Sequence, residues 1–287
     1  MTPAGTLYLI ATPIGNLEDI TLRAIRILKE ADVIACEDTR HTRGLLSHLG
    51  VRVPTLSLHE HNESARVPQI LGLLREGKNV ALVSDAGTPV ISDPGAALVG
   101  AAAREGFGVV SIPGASAVTA AVTLADFPAA CFAFVGFLPR RRGERIRMLE
   151  ALSDLSMALV IFEAPHRVRE ALNDIAGVLG QRRVMLVREM TKIHEEVLRG
   201  TAAEVREALS SAPRGEITLV VEGAPAASAA DVRLDAAARQ GADPQPPEVL
   251  LKRLLEQGLS RRDAAPVLEV VYGMLSRVAY RMATKDN

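Results

Sequence analysis

NVALVSDAGTPVISDPG, residues 79–95, begins with a short apolar run and ends in a segment holding two glycines and two prolines. An apolar run of this length bounded by turn residues predicts a strand buried on both faces. The glycines and prolines after it make rigid, irregular backbone where main-chain groups can approach a ligand closely. Asp85 stands at the start of that segment, where a carboxylate could meet an ammonium or a ribose hydroxyl. Asp85 and Asp93 could equally serve as turn caps.

The same rhythm extends on both sides. Residues 7–11 and 33–36 are further candidate strands, and 109–112 is a fourth that ends at Pro113-Gly114. Between them Ile20, Ala24, Ile27 and Leu28 fall at helical spacing, as do Ile70, Leu73 and Leu74. Buried strands alternating with helices predict a parallel sheet of the α/β class, with ligands gathering at the loops that follow the strands. Those loops are residues 11–17, 85–95 and 112–117. The small residues of the third open a helix and leave backbone N–H groups available to a ligand.

Beyond residue 113, candidate strands at 132–137, 158–162, 184–187 and 217–221 and helices at 167–179 and 202–209 predict a second α/β lobe whose sheet could be mixed. From Gly223 the composition turns to APAASAA and then GADPQPPE, which reads as a linker. After it, Val249, Leu250, Leu254 and Leu255 share a helical face, Ser260 caps a second helix, and 272–282 form a third. The expected organisation is an N-terminal lobe at 1–113, a second lobe at 114–223, a linker at 224–247 and a small helical domain at 248–287.

Composition narrows the function classes. Among 287 residues, 48% hydrophobic and 23% charged is ordinary for a globular chain and excludes wholesale disorder. With 3% aromatics and no Trp, the core must be built from Leu, Val, Ile and Ala. The 33 Lys and Arg against 34 Asp and Glu leave a net charge of -1, which excludes binding by bulk positive charge but not a local basic patch. Cys36 and Cys131 are too few for a disulfide framework or a Cys-rich zinc site, so a reducing, cytoplasmic setting is expected. The most apolar region, 115–138, is broken by Asp126 and Pro128, so no membrane span is expected. The G-x-G-x-x-G, G-x-x-x-x-G-K-[ST] and H-E-x-x-H patterns are absent. His59-Glu60-His61 is either a metal site lacking a third ligand or a polar loop, and no metal is assigned. Arg140-Arg141-Arg142, with Arg145 and Arg147, is the densest basic run and follows Gly136-Phe137-Leu138-Pro139 in a loop. It is either a solvated face or a grip on a polyanion such as a phosphate chain.

Taken together, ATPIGNLEDIT (11–21), SDAGTPVISDPG (84–95) and PGASA (113–117) resemble the S-adenosylmethionine-binding segments of the tetrapyrrole methylase superfamily. CEDTRHT (36–42), HEHNE (59–63), FEAPHR (162–167) and REMTKIHEE (188–196) are similar to its ribosomal RNA small-subunit methyltransferase I branch. The resemblance covers roughly residues 5–223, and SRRDAAPVLEVVYGMLSRVAYRMA sits where that branch carries a helical C-terminal domain. Branch tails carry a basic residue soon after the glycine matching Gly273, and Met274-Leu275-Ser276 departs from this. The resemblance implies a homodimer of two-lobed subunits, S-adenosylmethionine in the interlobe cleft, and methylation of a cytidine 2′-hydroxyl in 16S rRNA of the small ribosomal subunit. It places Pro13 at the border of the site and Asp85, Gly87 and Val90 at the methionine end of the cofactor. Ser116 and Ala117 would hold the cofactor from the second lobe, and Phe162 would flank the adenine.

Methylating a hydroxyl requires oxygen, carbon and sulfur in line and a group to receive the proton. Glu37, Asp38, His59, His61, Glu163, His166 and Glu189 fall at or near predicted strand ends. Asp38 or Glu37, directly after the strand at 33–36, is the favoured base or hydroxyl orienter, with His59 and His61 behind them. The alternative is a structural ion pair between Glu37 and Arg40. Two other functions fit the pattern: a methylase of a tetrapyrrole intermediate, and a non-catalytic cofactor sensor whose tail reads DNA. The near-neutral tail, with seven Lys/Arg and five Asp/Glu from Glu248 onward, weakens the latter.

Overall fold

The computed structural model describes residues 4–225, 247–256 and 281–282. Strands β1 (Thr6–Ile10), β2 (Val33–Cys36), β3 (Thr55–Ser57), β4 (Val80–Val83) and β5 (Gly108–Ile112) pair in the order β3-β2-β4-β1-β5, all parallel. Helices α1 (Leu22–Glu30), α2 (Thr39–His48), α3 (Glu63–Arg75) and α4 (Ala96–Arg104) make the crossovers. Side chains alternate across a strand, so a sheet covered on both faces needs apolar residues at every position. Ile10, Ile34, Cys36, Ala81 and Val83 pack with Ala24, Ile27 and Leu28 of α1 and Leu46 of α2. Leu7, Ala35, Val80 and Leu82 pack on the other face with Ile70 and Leu74 of α3 and Leu98 of α4. The sequence pattern misses β3, only three half-buried residues long, and α2, which begins where Asp38 caps it.

The second sheet holds β6 (Phe132–Phe137), β7 (Ala158–Glu163), β8 (Arg183–Arg188), β9 (Glu196–Thr201) and β10 (Ile217–Val221) in the order β6-β7-β10-β8-β9. The β6–β7 pair is parallel and the others antiparallel, so the sheet is mixed. Helices α5 (Ala117–Thr123), α6 (Arg142–Ala151), α7 (Val168–Leu179) and α8 (Ala202–Ala208) accompany it. Leu159, Ile161, Leu186 and Leu219 pack with residues of α7 and α8. On the opposite face, Val160, Met185, Val187 and Val220 pack with Val118 and Ala121 of α5 and with Ile14, which arrives from the loop after β1. Both sheets belong to one compact unit, Met1–Pro225. In the second unit, Ala226–Asn287, helix α9 (Pro247–Glu256) begins on a proline, whose fixed φ suits a first helical turn. Most of the expected linker, the cap at Ser260 and most of the helix at 272–282 lie outside the described residues. No helix among the described residues is long and apolar enough to cross a membrane.

The basic run is not the continuous exposed loop that the sequence suggests. Helix α6 begins at Arg142, and Arg145 is only 2% exposed. Its guanidinium donates to Asp174 of α7 at 2.8 Å and to the carbonyls of Pro139 and Arg140 at 3.3 Å. Arg142 also donates to Asp174, at 3.0 Å, while most of its side chain stays exposed beside those of Arg140 and Arg141. Arg167 donates to the Leu138 carbonyl at 2.7 Å. Two guanidinium groups therefore hold the main chain between β6 and α6. Asp174→Ala should strand the buried Arg145 cation and cost about 3–5 kcal/mol of stability, the range for breaking one half of a buried pair. Urea denaturation measures this, and a loss below about 1 kcal/mol would mean that the pair does not hold the helices together.

Candidate active site

Because β1 and β4 are parallel neighbours, the loops leaving them start side by side. Thr12 N–H donates to the Gly87 carbonyl at 2.9 Å, and Gly87 N–H returns the bond to Thr12 at 3.0 Å. The buried Thr12 hydroxyl donates to the Ser84 carbonyl at 3.2 Å. Thr88 Oγ1 donates to the Ala115 carbonyl at 3.2 Å and so attaches the loop after β5. Gly87 has φ 79, and a Cβ there would lie 3.2 Å from Ile14 Cγ2. Conformation and space both oppose a side chain at this position. Three loops separated in sequence thus form one wall.

That wall bounds a cavity of about 380 Å³, within the range of small-molecule sites. Ile14, Asp85, Gly87, Thr88, Ile91 and Asp93 line it from the first sheet's loops. Ser116, Ala117, Phe137, Phe162 and Glu163 line it from the second sheet and α5, with Gly215 and Glu216 just before β10. Of the sequence-predicted cofactor residues, Asp85, Gly87, Ser116, Ala117 and Phe162 come together here. Pro13 and Val90 are not in the lining. Ile14 reaches the cavity in place of Pro13. Val90, at φ 74, packs with the core around Leu7 and Leu82, and its neighbour Ile91 faces the cavity. Gly215 and Glu216 are invisible to sequence reasoning, because PRGE (213–216) has no ligand-binding signature and reaches the site only through strand order.

Two carboxylates line each side, Asp85 and Asp93 from the first sheet and Glu163 and Glu216 from the second, while Glu37, Asp38, His59 and His61 stand outside the lining. Asp38 N–H donates to Asp85 Oδ1 at 3.2 Å, linking the ends of β2 and β4. Burial pushes the Asp93 carboxyl up to about 6; a Ser84 hydrogen bond opposes this, while Glu37 and Asp85 add to it. Burial likewise raises Glu37, helped by Asp85 and opposed by His59. Asp38 behaves differently. Its carboxylate accepts from Arg40 N–H at 2.8 Å, capping α2, and from the Arg40 guanidinium at 3.3 Å. These bonds hold Asp38 below the usual carboxylate range. Arg40 therefore pairs with Asp38, where the sequence allowed a pair with Glu37.

The remaining candidates divide by environment. His59 Nε2 lies 2.9 Å from Asn62 Nδ2, and its buried Nδ1 has no hydrogen-bond partner among the described residues. His61 is exposed, its ring 6.1 Å from that of His59. No group of three metal-ligating side chains forms among the described residues. Glu163 is buried beside Arg167, and burial raises its pKa. Glu189 lies outside the lining, pairs with Lys192 at 2.9 Å and is held below its ordinary pKa by that bond. His166 is exposed and also outside the lining. Arg140 and Arg141 are exposed in the turn before α6, Arg141 lying 3.4 Å from Glu144.

A carboxyl whose folded pKa is raised contributes stability below its unfolded value, and that contribution is lost as pH climbs through the folded value. For Asp93 the window runs from 3.8 to about 6. Asp93→Asn should therefore unfold at higher temperature than the parent near pH 8, by on the order of 1 kcal/mol after solvent screening, with no advantage near pH 3. A stability difference that ignores pH would show that Asp93 is not desolvated.

Residues 6–206 match the family described as Tetrapyrrole (Corrin/Porphyrin) Methylases. A protein of Halalkalibacterium halodurans named ribosomal RNA small subunit methyltransferase I is 49% identical over 220 residues, covering 76% of each chain. One of the same name from Micromonospora olivasterospora is 44% identical over 287 residues, covering 98% of this chain and 88% of that one. Among solved structures, uroporphyrin-III-C-methyltransferase from Thermus thermophilus matches with TM-score 0.56 at 22% identity, over 76% of this chain and 94% of that one. The Thermus enzyme complexed with S-adenosyl homocysteine matches with TM-score 0.56 at 21% identity, over 80% of this chain and all of that one. At such identities the structural likeness shows the fold. The family match spans nearly all of both sheets and the relatives extend it, so the chain belongs to the tetrapyrrole methylase family.

Proposed function

We propose that the protein transfers a methyl group from S-adenosylmethionine to the 2′-hydroxyl of a cytidine in 16S rRNA of the small ribosomal subunit, acting as a cytoplasmic homodimer. The observation that carries the RNA reading is that Phe137 of the cavity lining runs within four residues into two exposed arginines, Arg140 and Arg141. A cavity for a small cationic cofactor thus adjoins a grip for phosphates. The names of the relatives support small-subunit ribosomal RNA as the substrate class. For the dimer, Leu22 and Ile193 are large apolar side chains left uncovered by the single chain.

The cavity residues suit the cofactor. Asp85 and Asp93 offer negative charge to an ammonium or sulfonium group, and Ile14 and Phe162 offer apolar surface. Ser116 makes no side-chain bond at the start of α5, so its hydroxyl is open to the ligand. When bound, S-adenosylmethionine supplies an electrophilic methyl group. The chain then contributes alignment, which can account for roughly 7–11 kcal/mol of a barrier, and removal of the hydroxyl proton. Glu37 is assigned as the proton acceptor. Its raised pKa and partial burial make it the stronger base, whereas Asp38 is committed to capping α2 and to Arg40. This reverses the order expected from sequence, and His59 becomes a neighbour that tunes Glu37 through its field.

Single-turnover methylation of small subunits with labelled cofactor tests the assignment. Glu37→Gln should slow the chemical step by about 10²–10⁴-fold with cofactor binding nearly intact. Asp38→Asn keeps a capping side chain and should cost under about tenfold. The parent rate should fall as pH drops through the raised Glu37 pKa. A larger loss at Asp38 would return the role to that residue.

Replacing Arg140 and Arg141 together by Ala should raise the RNA KM and reduce the log–log salt slope by roughly 0.7–0.9 for each phosphate that is no longer neutralised. Cofactor affinity should not change. Turnover of a uroporphyrinogen, with none on small subunits, would replace RNA by a tetrapyrrole as substrate.

A further inference from the structure

Of the six phenylalanines, Phe137 alone is exposed, and its exposure is built into the strand. Along β6, Val135 belongs to the α7-covered face and Phe134 to the cavity-side face. Strict alternation would put Phe137 on the same face as Val135. The β6–β7 register instead shifts between Phe134 and Gly136, and Gly136 takes φ 72. This bulge changes the parity, so Phe137 pairs with Phe162 and joins the cavity side.

The ring is held in place on one side and open on the other. It lies 5.8 Å from the Phe162 ring at an interplanar angle of 63°, and Phe162 in turn lies 4.9 Å from Phe134. The main chain just beyond it is fixed through the Leu138 carbonyl by Arg167. Even so, Phe137 is 53% exposed, and Ile91 on the opposing loop is 42% exposed at the same cavity. A rigid, half-open aromatic ring at a cavity edge, followed by two exposed guanidinium groups, matches a planar ring attached to a phosphate chain.

We propose that Phe137 is the stacking platform for the base of the nucleotide that is methylated, an unpaired pyrimidine drawn out of the RNA stack. Arg140 and Arg141 take the flanking phosphates. The proposal rests on the RNA reading above. Base and 2′-hydroxyl share one ribose, so seating the base on a fixed ring also fixes the hydroxyl that must meet the methyl group. Every base has a π-face, so the platform sets position and leaves base identity to other contacts.

Phe137→Ala should lower kcat/KM on small subunits roughly 5- to 150-fold, the range for losing one base–aromatic stack. Phe137→Tyr should restore activity to within a few-fold, whereas Phe137→Leu, apolar but without a ring, should not. Calorimetry should find the loss of cofactor affinity in all three much smaller than the loss of kcat/KM in Phe137→Ala, since the ring is half-exposed at the cavity edge. Because the chain has no tryptophan of its own, Phe137→Trp supplies a single indole whose emission should be quenched by an RNA hairpin presenting an unpaired cytidine. Unaffected kcat/KM in Phe137→Ala, full rescue by Leu, a loss of cofactor affinity as large as the loss of kcat/KM, or no quenching would each overturn the platform. A parent protein that methylates no small subunits would remove the RNA reading and the platform with it; an active parent beside an unaffected Phe137→Ala variant overturns the platform alone.

Discussion

Two reciprocal main-chain hydrogen bonds between Thr12 and Gly87 set the geometry on which the cavity depends. Inside the sheet β1 and β4 run parallel, but at this bridge their continuations face each other in antiparallel sense. The chain turns there, sending Ile14 to the face of the second sheet and placing Asp85 and Thr88 along the cavity. Buried main-chain groups must be paired, and this bridge pairs four of them without using a side chain. The Thr12 and Thr88 hydroxyls extend the linkage to the ends of β4 and β5. Without the bridge, the loops would share a sheet edge and those hydroxyl bonds alone.

Carboxylates line the cavity from both sheets, and exposed arginines follow one of its margins. Asp85 and Asp93 line it from the first sheet and Glu163 and Glu216 from the second; burial, reinforced by neighbouring carboxylates, raises the proton affinity of Asp93 and of Glu37 outside the lining. The exposed Arg140 and Arg141 follow β6 on the second-sheet side. A small cation is therefore drawn into the opening and a polyanion to the margin beyond β6. A net charge of -1 conceals this separation, because bulk composition averages over it.

How legible each element is in the sequence follows from how completely it is buried. The strands β1, β2, β4, β7 and β10 can be read because apolar residues fill consecutive positions, and the loops because glycine and proline punctuate them. Strand β9 cannot, since EVLRGT is a sheet edge interrupted by Arg199 and Gly200. Helix α6 is hidden because it opens inside an arginine run, and Asp174, which takes Arg145 out of solvent, stands 29 residues away. Alternation puts Glu37 and Asp38 on opposite sides but does not say what either does; that Asp38 caps α2 emerges only from the structure. Phe137 stands out in the sequence only as a neighbour of the basic run, since a one-residue register shift leaves little mark on composition.

The turn between β6 and α6 is held by its carbonyl oxygens, at Leu138, Pro139 and Arg140, in the grasp of Arg145 and Arg167. Every amino acid has that oxygen. The grip is therefore indifferent to which side chains the turn displays at positions 137, 140 and 141. A lineage carrying this clamp can exchange the displayed residues without moving the backbone that presents them. Variation in what such chains recognise then becomes separable from inheritance of their shape, with Arg145 and Asp174 as the positions where exchange is least tolerated.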